Sequence, residues 1–162
     1  MACLPNNPGP QTSQLGCQIQ QANRSIDAKF DSDPAHLAAV RTAIESLCTE
    51  GGFDARATGE IGLVVNEAIA NVIRHAYGSA ANMPIQLNAQ LKGTGPGSEI
   101  EVTLRDWGSG KCPSQLASPR SPDPLTPGGL GLICMHKMMD QVLFTPQPRG
   151  MLLTMRRKWK PA

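Results

Sequence analysis

The sequence lacks a strong net charge and any long hydrophobic run. Its 15 Lys and Arg residues and 13 Asp and Glu residues leave a formal charge of +2 at pH 7, which is too small to indicate nucleic acid as the main partner. No apolar stretch approaches the roughly 18 residues that span a bilayer. The N-terminus has neither the basic start nor the apolar block of a signal peptide. We therefore expect a cytoplasmic protein of one domain, with no membrane partner and no direct nucleic-acid partner.

The cysteines are irregularly placed. The five cysteines are an odd number and include no Cys-x-x-Cys pair, so a disulfide framework is disfavoured. Cys134 and His136 lie two residues apart, but no second ligand pair is near them in the sequence. We therefore interpret Cys134 as a buried helix residue rather than as a zinc ligand.

Apolar periodicity and turn residues predict a domain at residues 24–160 after an N-terminal segment at 1–23. That segment is rich in Pro, Gln and Asn, so we expect a disordered or loosely attached tail. Strands are predicted at residues 25–30, 84–91, 99–105, 142–145 and 151–158. Helices are predicted at residues 33–48, 54–75 and 130–139. This order indicates an α/β (α+β) two-layer sandwich, in which helices cover one face of a mixed, mostly antiparallel sheet.

One long connection interrupts this pattern. Residues 111–127 contain five prolines and three serines. A loop of this length in a compact domain is usually a lid or a disordered segment. We interpret it as a lid.

A polar stripe on the second predicted helix is the strongest sign of a functional site. At about 100° per residue, Glu67, Asn71 and His75 fall on one helical face, and Arg74 lies beside Glu67. The remaining circumference is apolar, so the stripe must line a polar cleft. A carboxamide oxygen is a good Mg²⁺ ligand beside phosphates, and a carboxylate one turn away can deprotonate an attacking hydroxyl. A buried, hydrogen-bonded polar pair is the alternative.

Asp106 marks a second candidate site at the end of a predicted strand. Gly108 and Gly110 keep the following backbone open, so the carboxylate can accept the exocyclic amine of adenine while the purine packs against the glycines. The alternative is a turn in which Asp106 caps local amides.

A third signal is the glycine-rich start of the last predicted helix. Gly128, Gly129 and Gly131 precede it or open it, and exposed amides at a helix N-terminus bind anions. A lid hinge and close helix packing are alternative roles for these glycines. Neither glycine segment completes Gly-x-Gly-x-x-Gly, and Gly110-Lys111 is not part of a P-loop.

In combination these signals resemble a known superfamily over residues 25–158. The motifs are Asn66-Glu-Ala-x-x-Asn-x-x-x-His-Ala-Tyr77, Asp106-x-Gly-x-Gly110 and Gly128-Gly-Leu-Gly-Leu132, with Met139-Asp-x-Val142 after them. They resemble the Bergerat-fold ATPases, which include gyrase, histidine kinases, chaperones and mismatch-repair proteins. Within that superfamily the chain is most similar to the stand-alone anti-sigma-factor serine/threonine kinases.

The resemblance implies a role for each motif. It implies that Glu67 is the catalytic base, that Asn71 holds Mg²⁺ and that Asp106 binds the adenine of ATP. The glycine segment would cradle the phosphates under a mobile lid. The residues assigned to the nucleotide are Asn71, Arg74, His75, Asp106, Gly108, Gly110, Gly128, Gly129, Leu130, Gly131 and Leu132.

The resemblance also implies an activity and partners. These are ATP-dependent phosphorylation of a Ser or Thr of an antagonist (an anti-anti-sigma protein), capture of a sigma factor, and a homodimer. Two departures from the family pattern concern the docking of the lid and the binding of adenine, and not the fold. Lys111-Cys-Pro113 replaces the family's Phe-Asp-Pro, and Met151 follows Gly150 where the family commonly has Thr.

Two other functions remain open from the sequence. A binding module that responds to ATP without catalysis is compatible with the departures, although an intact Glu67 argues against it. A stand-alone histidine-kinase-like catalytic domain is disfavoured, because the sequence predicts no helical hairpin with a phosphoaccepting His, and His36 lies near a helix start without that context.

Overall fold

The computed structural model describes residues 16–93, 95–110 and 129–161. A six-stranded sheet forms one layer, in the order β1-β2-β3-β4-β6-β5. The strands are β1 (Gln18–Ala22), β2 (Ser25–Asp31), β3 (Pro84–Lys92), β4 (Glu99–Asp106), β5 (Gln141–Pro146) and β6 (Met151–Lys158). All the pairings between them are antiparallel. The predicted sandwich is confirmed, with an antiparallel sheet where a mixed one was expected.

Among the described residues, three helices form the second layer: α1 (Leu37–Glu50), α2 (Ala55–Asn71) and α3 (Gly129–Met138). A 3₁₀ turn, Pro34–His36, precedes α1. The Asp33 carboxylate accepts a hydrogen bond from the Ala35 amide at 2.9 Å, and Asp54 caps α2 through the Ala57 amide at 2.7 Å. Both caps satisfy amides that the helices leave unpaired. No helix among the described residues is long and apolar enough to cross a membrane.

The core lies between the two layers, because buried side chains alternate along the strands. In β4, Ile100, Val102 and Leu104 are buried toward the helices, while Glu101 and Thr103 on the opposite face are half-buried. This period of two is what a sheet covered on one face requires. Cys134 lies on α3 as predicted, but it is half-buried rather than buried.

The prediction of a disordered or loosely attached tail at residues 1–23 was wrong for the last residues of that segment. Residues 18–22 form β1, an edge strand that pairs with β2 through a turn in which Arg24 adopts a φ of +63°. Among residues 16–22 of the described part of the chain, Cys17 and Ile19 pack against the core. The first 15 residues, the predicted lid at 111–127 and Gly128 lie outside the described residues.

The end of α2 also differs from the regular helix that was predicted. The α-helix stops at Asn71, and residues Val72–Ala76 form a π-helical turn. The Tyr77 amide donates to the Val72 carbonyl at 3.0 Å, and Gly78, with a φ of +55°, ends the element as expected. Such π turns often occur at functional sites.

Candidate functional site

A cavity lies between α2, α3 and the sheet. The structure places three predicted site residues, Asn71, His75 and Asp106, on its wall. The other lining residues are Ala68, Val72, Ala76, Leu104, Met135, Phe144, Met151 and Leu153. Most of this wall is apolar, with a few polar groups facing inward, which is typical of a small-molecule site.

Asp106 is held at the cavity wall by the loop that follows β4. Its side chain is nearly buried, at 4 % exposure, and the Gly108 amide donates to Oδ1 at 2.9 Å. Burial raises the pKa of the Asp106 carboxyl, while the Gly108 amide, the Arg105 charge and the Met151 amide oppose that rise. The capping role considered as an alternative is therefore present, and it fixes the orientation of the carboxylate toward the cavity.

Two glycines allow the backbone segments around Asp106 to pack closely. A Cβ at Gly108 would collide with the Ala76 carbonyl, and the neighbouring Ser109 amide donates to that same carbonyl at 3.1 Å. Gly150 has a φ of +81°, and a Cβ there would collide with the Asp106 carbonyl. The loop after β4 is thus packed against both the π turn and the start of β6.

Tyr77 is a positioning residue to which the sequence analysis assigned no role. Its hydroxyl donates to the Pro84 carbonyl and accepts a hydrogen bond from the Trp107 amide at 2.9 Å. Burial raises the pKa of the Tyr77 hydroxyl to about 12. The residue thereby ties the end of the π turn to the residue after Asp106. Its position at the end of the Asn66 motif was the only available signal.

Arg74 contacts both Asn71 and Glu67 of the polar stripe. Asn71 is buried at 6 % exposure, and its Oδ1 accepts a hydrogen bond from Arg74 Nη2 at 3.1 Å. The same Nη2 lies 3.9 Å from Glu67 Oε2. The side-chain oxygens of Asn71 and Glu67 therefore both face the guanidinium of Arg74.

The N-terminal end of α3 lies directly against this stripe. A Cβ on Gly131 would lie 2.9 Å from Glu67 Oε2 and 3.7 Å from Asn71 Nδ2. Gly129 and Leu130 are the first residues of α3, and Leu132 packs at the margin of the core. The structure therefore brings the start of α3 and the α2 stripe together.

Comparisons with known proteins agree with this arrangement. Residues 30–157 match the family described as histidine kinase-like ATPase domain. The chain is 25% identical over 124 residues to serine-protein kinase RsbW of Bacillus subtilis (strain 168), covering 72% of this chain and 75% of that protein. It is 22% identical over 135 residues to serine-protein kinase RsbW of Oceanobacillus iheyensis, covering 79% and 83%.

Among solved structures, the chain is similar to the histidine kinase domain from Erythrobacter litoralis EL346 blue-light activated histidine kinase. The superposition has a TM-score of 0.43 and 19% sequence identity. It covers 78% of this chain and 60% of that chain.

Proposed function

Because the chain belongs to the family of histidine kinase-like ATPase domains, we propose that it is an ATP-dependent serine/threonine protein kinase of the anti-sigma-factor type. The observation that carries this proposal is the position of Glu67. Its carboxylate lies one helical turn before Asn71 and directly beneath Gly131 at the start of α3. A carboxylate placed between a metal ligand and a helix N-terminus suits proton removal from a hydroxyl. The relatives named serine-protein kinases support the same activity.

The cavity is proposed to bind the adenine ring of ATP. Asp106 accepts a hydrogen bond from the exocyclic amine, and the buried side chains of Leu104, Met135 and Leu153 pack on the ring. Met151 lines the same cavity opposite Asp106 in the β4–β6 register. Its thioether gives the ring an apolar contact, at the position where the family that the chain resembles commonly has the hydroxyl of Thr.

The phosphates are proposed to lie between the α2 stripe and the start of α3. Mg²⁺ would be held by Asn71 Oδ1, with water and phosphate oxygens completing its coordination, and it would neutralise phosphate charge. Arg74 must then leave Asn71 Oδ1 and is free to approach a phosphate, as is His75. The amides at the start of α3 donate to phosphate oxygens.

The reaction is a transfer of the γ-phosphoryl group to a protein hydroxyl. Glu67 takes the proton of a Ser or Thr hydroxyl as that oxygen bonds to the γ-phosphorus. The bond between the γ-phosphorus and the bridging oxygen breaks, and ADP leaves with the electron pair. Charge spreads over the equatorial phosphate oxygens, where the α3 amides stabilise it.

The proposed substrate is an antagonist protein, the anti-anti-sigma factor, and the proposed binding partner is a sigma factor. The chain would act as a homodimer. It would hold the sigma factor until unphosphorylated antagonist competes for it.

Phosphorylation of candidate antagonists encoded near the gene, with ATP labelled at the γ-phosphate, tests the activity. We expect label on the antagonist that survives acid and is lost in alkali, as phosphoserine and phosphothreonine esters behave. Acid-labile label would instead indicate a phosphohistidine and a histidine-kinase-like domain. Binding of ATP without transfer to any antagonist would indicate the non-catalytic binding module.

A further inference from the structure

A second cleft lies at the opposite end of α2 from the nucleotide cavity. The first turn of α2, the last turn of α3 and the end of β6 form its walls. Ala57 lines this cleft and Asn71 lines the nucleotide cavity. At 1.5 Å per residue, α2 separates the two positions by about 21 Å. The two sites are therefore distinct.

The walls of this cleft are fixed by internal ion pairs. Arg157 Nη1 donates to the Met138 carbonyl at 2.8 Å and lies 2.7 Å from Glu60 Oε2, so one side chain joins β6, α3 and α2. Asp140 accepts a hydrogen bond from the Lys158 amide at 2.8 Å and pairs with Lys160 Nζ at 3.0 Å. Hydrogen bonds from Arg157 and Arg56 hold the pKa of Glu60 below its ordinary value. The shape of the cleft is thus set before any ligand arrives.

The rim of the cleft carries an excess of positive charge. Five basic and three acidic side chains line it. Glu60 and Asp140 are used in the internal pairs, and Asp54 caps α2. Lys137 and Lys158 are exposed, and within the described part of the chain neither forms an ion pair. Their ammonium groups are available to a ligand.

Apolar side chains lie at the floor of the cleft, between polar groups that form the larger part of its surface. Phe53 and Met139 are each 5 % exposed, and Met138 and Trp159 are half-buried. An apolar side chain resting on this floor would remove water from it, while acidic neighbours of that side chain would reach the lysines. A rim of cations around an apolar floor is complementary to a segment that combines both features.

We propose that this cleft, the basic cleft, docks an acidic segment of a partner protein with an apolar anchor residue between its carboxylates. The free cations are lysines, which act as point charges for single carboxylates, whereas the arginines that suit phosphates best are mostly engaged internally. The acidic residues of the wall interrupt the positive field, which disfavours the continuous phosphates of a nucleic acid. This docking goes beyond the proposed kinase reaction and does not require it.

Titration of the full chain with a fluorescent peptide of acidic residues and leucine, without nucleotide, tests the docking. We expect the peptide to bind, with an affinity that falls as salt is raised. The same peptide with Gln and Asn in place of Glu and Asp should bind far more weakly. Amide shifts in NMR spectra should concentrate at the basic cleft.

Charge reversals provide matched variants. Lys137→Glu and Lys158→Glu should each lower the affinity for the peptide by roughly tenfold, because attraction becomes repulsion at close range. Lys29→Glu changes the net charge equally, is also exposed, and lies on β2 away from the cleft, so it should have little effect. All three variants should melt as the wild type does.

Three results would overturn the proposal. One is the absence of peptide binding. Another is an equal loss in Lys29→Glu, which would mean only general charge attraction. The third is a nucleic-acid or membrane ligand in place of the peptide. In that case a short DNA duplex, or phosphatidylcholine vesicles that contain phosphatidylserine, would bind in a way that depends on Lys137 and Lys158, and the peptide would fail to bind. None of these outcomes bears on phosphoryl transfer, so a failed kinase assay and a failed docking assay remain distinguishable.

Discussion

Asp106 faces the cavity with one carboxylate oxygen already bonded to the Gly108 amide. In Asp106→Asn the side-chain oxygen can keep that hydrogen bond. The NH₂ group then points toward the exocyclic amine of adenine, so that two hydrogen-bond donors face each other. We expect affinity for ATP to fall by roughly tenfold or more, because an unsatisfied buried donor costs about 1–3 kcal/mol. Isothermal titration calorimetry with ATP and Mg²⁺ measures the change.

Thermal unfolding over a range of pH is the control for this variant. Burial raises the pKa of Asp106, so its contribution to stability is present below the unfolded-state pKa and is lost as pH rises through the folded-state pKa. The neutral Asn does not titrate. The variant should therefore show a weaker decline of stability across that window than the wild type. Unchanged ATP affinity would remove Asp106 from the nucleotide site.

Glu67 and Asn71 are expected to separate catalysis from binding. Glu67→Gln keeps the shape of the side chain but removes the base, so phosphoryl transfer should fall by roughly two orders of magnitude or more while Mg-ATP still binds. Asn71→Ala should instead weaken Mg²⁺-dependent binding of ATP. Initial rates on the antagonist and calorimetric titrations give the two quantities. A wild-type rate in Glu67→Gln would show that the base is another group.

Residues differ in how readily a sequence reveals their roles. Glu67, Asn71 and Asp106 stand out because a charge or amide within an apolar run needs a chemical reason. Tyr77 and Met135 do not stand out, since an aromatic or apolar residue near the end of a helix is usually core. Their contribution depends on contacts between distant segments, such as the hydrogen bond from Trp107 to Tyr77.

At the scale of elements, the first turn of α3 controls the space above Glu67. Gly131→Ala should favour the helix itself by about 1 kcal/mol, but the added methyl would approach Glu67 Oε2 at 2.9 Å. Either the carboxylate or the helix must move, so we expect slower phosphoryl transfer with stability largely retained. Kinetic assays and melting curves test both parts.

Gly59→Ala is the matched control for that substitution. Gly59 lies within α2, and a Cβ there would meet nothing within 4 Å. The control should keep the wild-type rate. Equal rates in Gly131→Ala and Gly59→Ala would mean that the contact between α3 and Glu67 does not affect the reaction.

The sequence predicts elements well where burial is one-sided and poorly where it is not. The alternation in β4 follows from one covered face, and both strand ends were placed within one residue. In β1 four of five residues are exposed, so no alternation marks the strand, and its existence depends on pairing with β2. The π turn at Val72–Ala76 likewise has no local sequence pattern, because it depends on packing against a distant segment, the loop after β4.

The whole molecule is expected to act through its partners. Pull-down from lysate of the source organism, with ATP or ADP, should recover a sigma factor with ATP and lose it when unphosphorylated antagonist is added. Sedimentation should give a dimer. Mass spectrometry that identifies neither a sigma factor nor an antagonist in either nucleotide state would contradict the partner assignment and leave the fold intact.

The helix α3 belongs to both sites, since Gly131 lies against Glu67 and Lys137 lines the basic cleft. If ATP shifts this helix and thereby raises the affinity for a docked segment by some factor, thermodynamic reciprocity requires that the docked segment raise the affinity for ATP by the same factor. A partner would then set the nucleotide state as well as respond to it. In a cell with a steady ATP level, the abundance of the partner would then set the fraction of molecules that carry nucleotide.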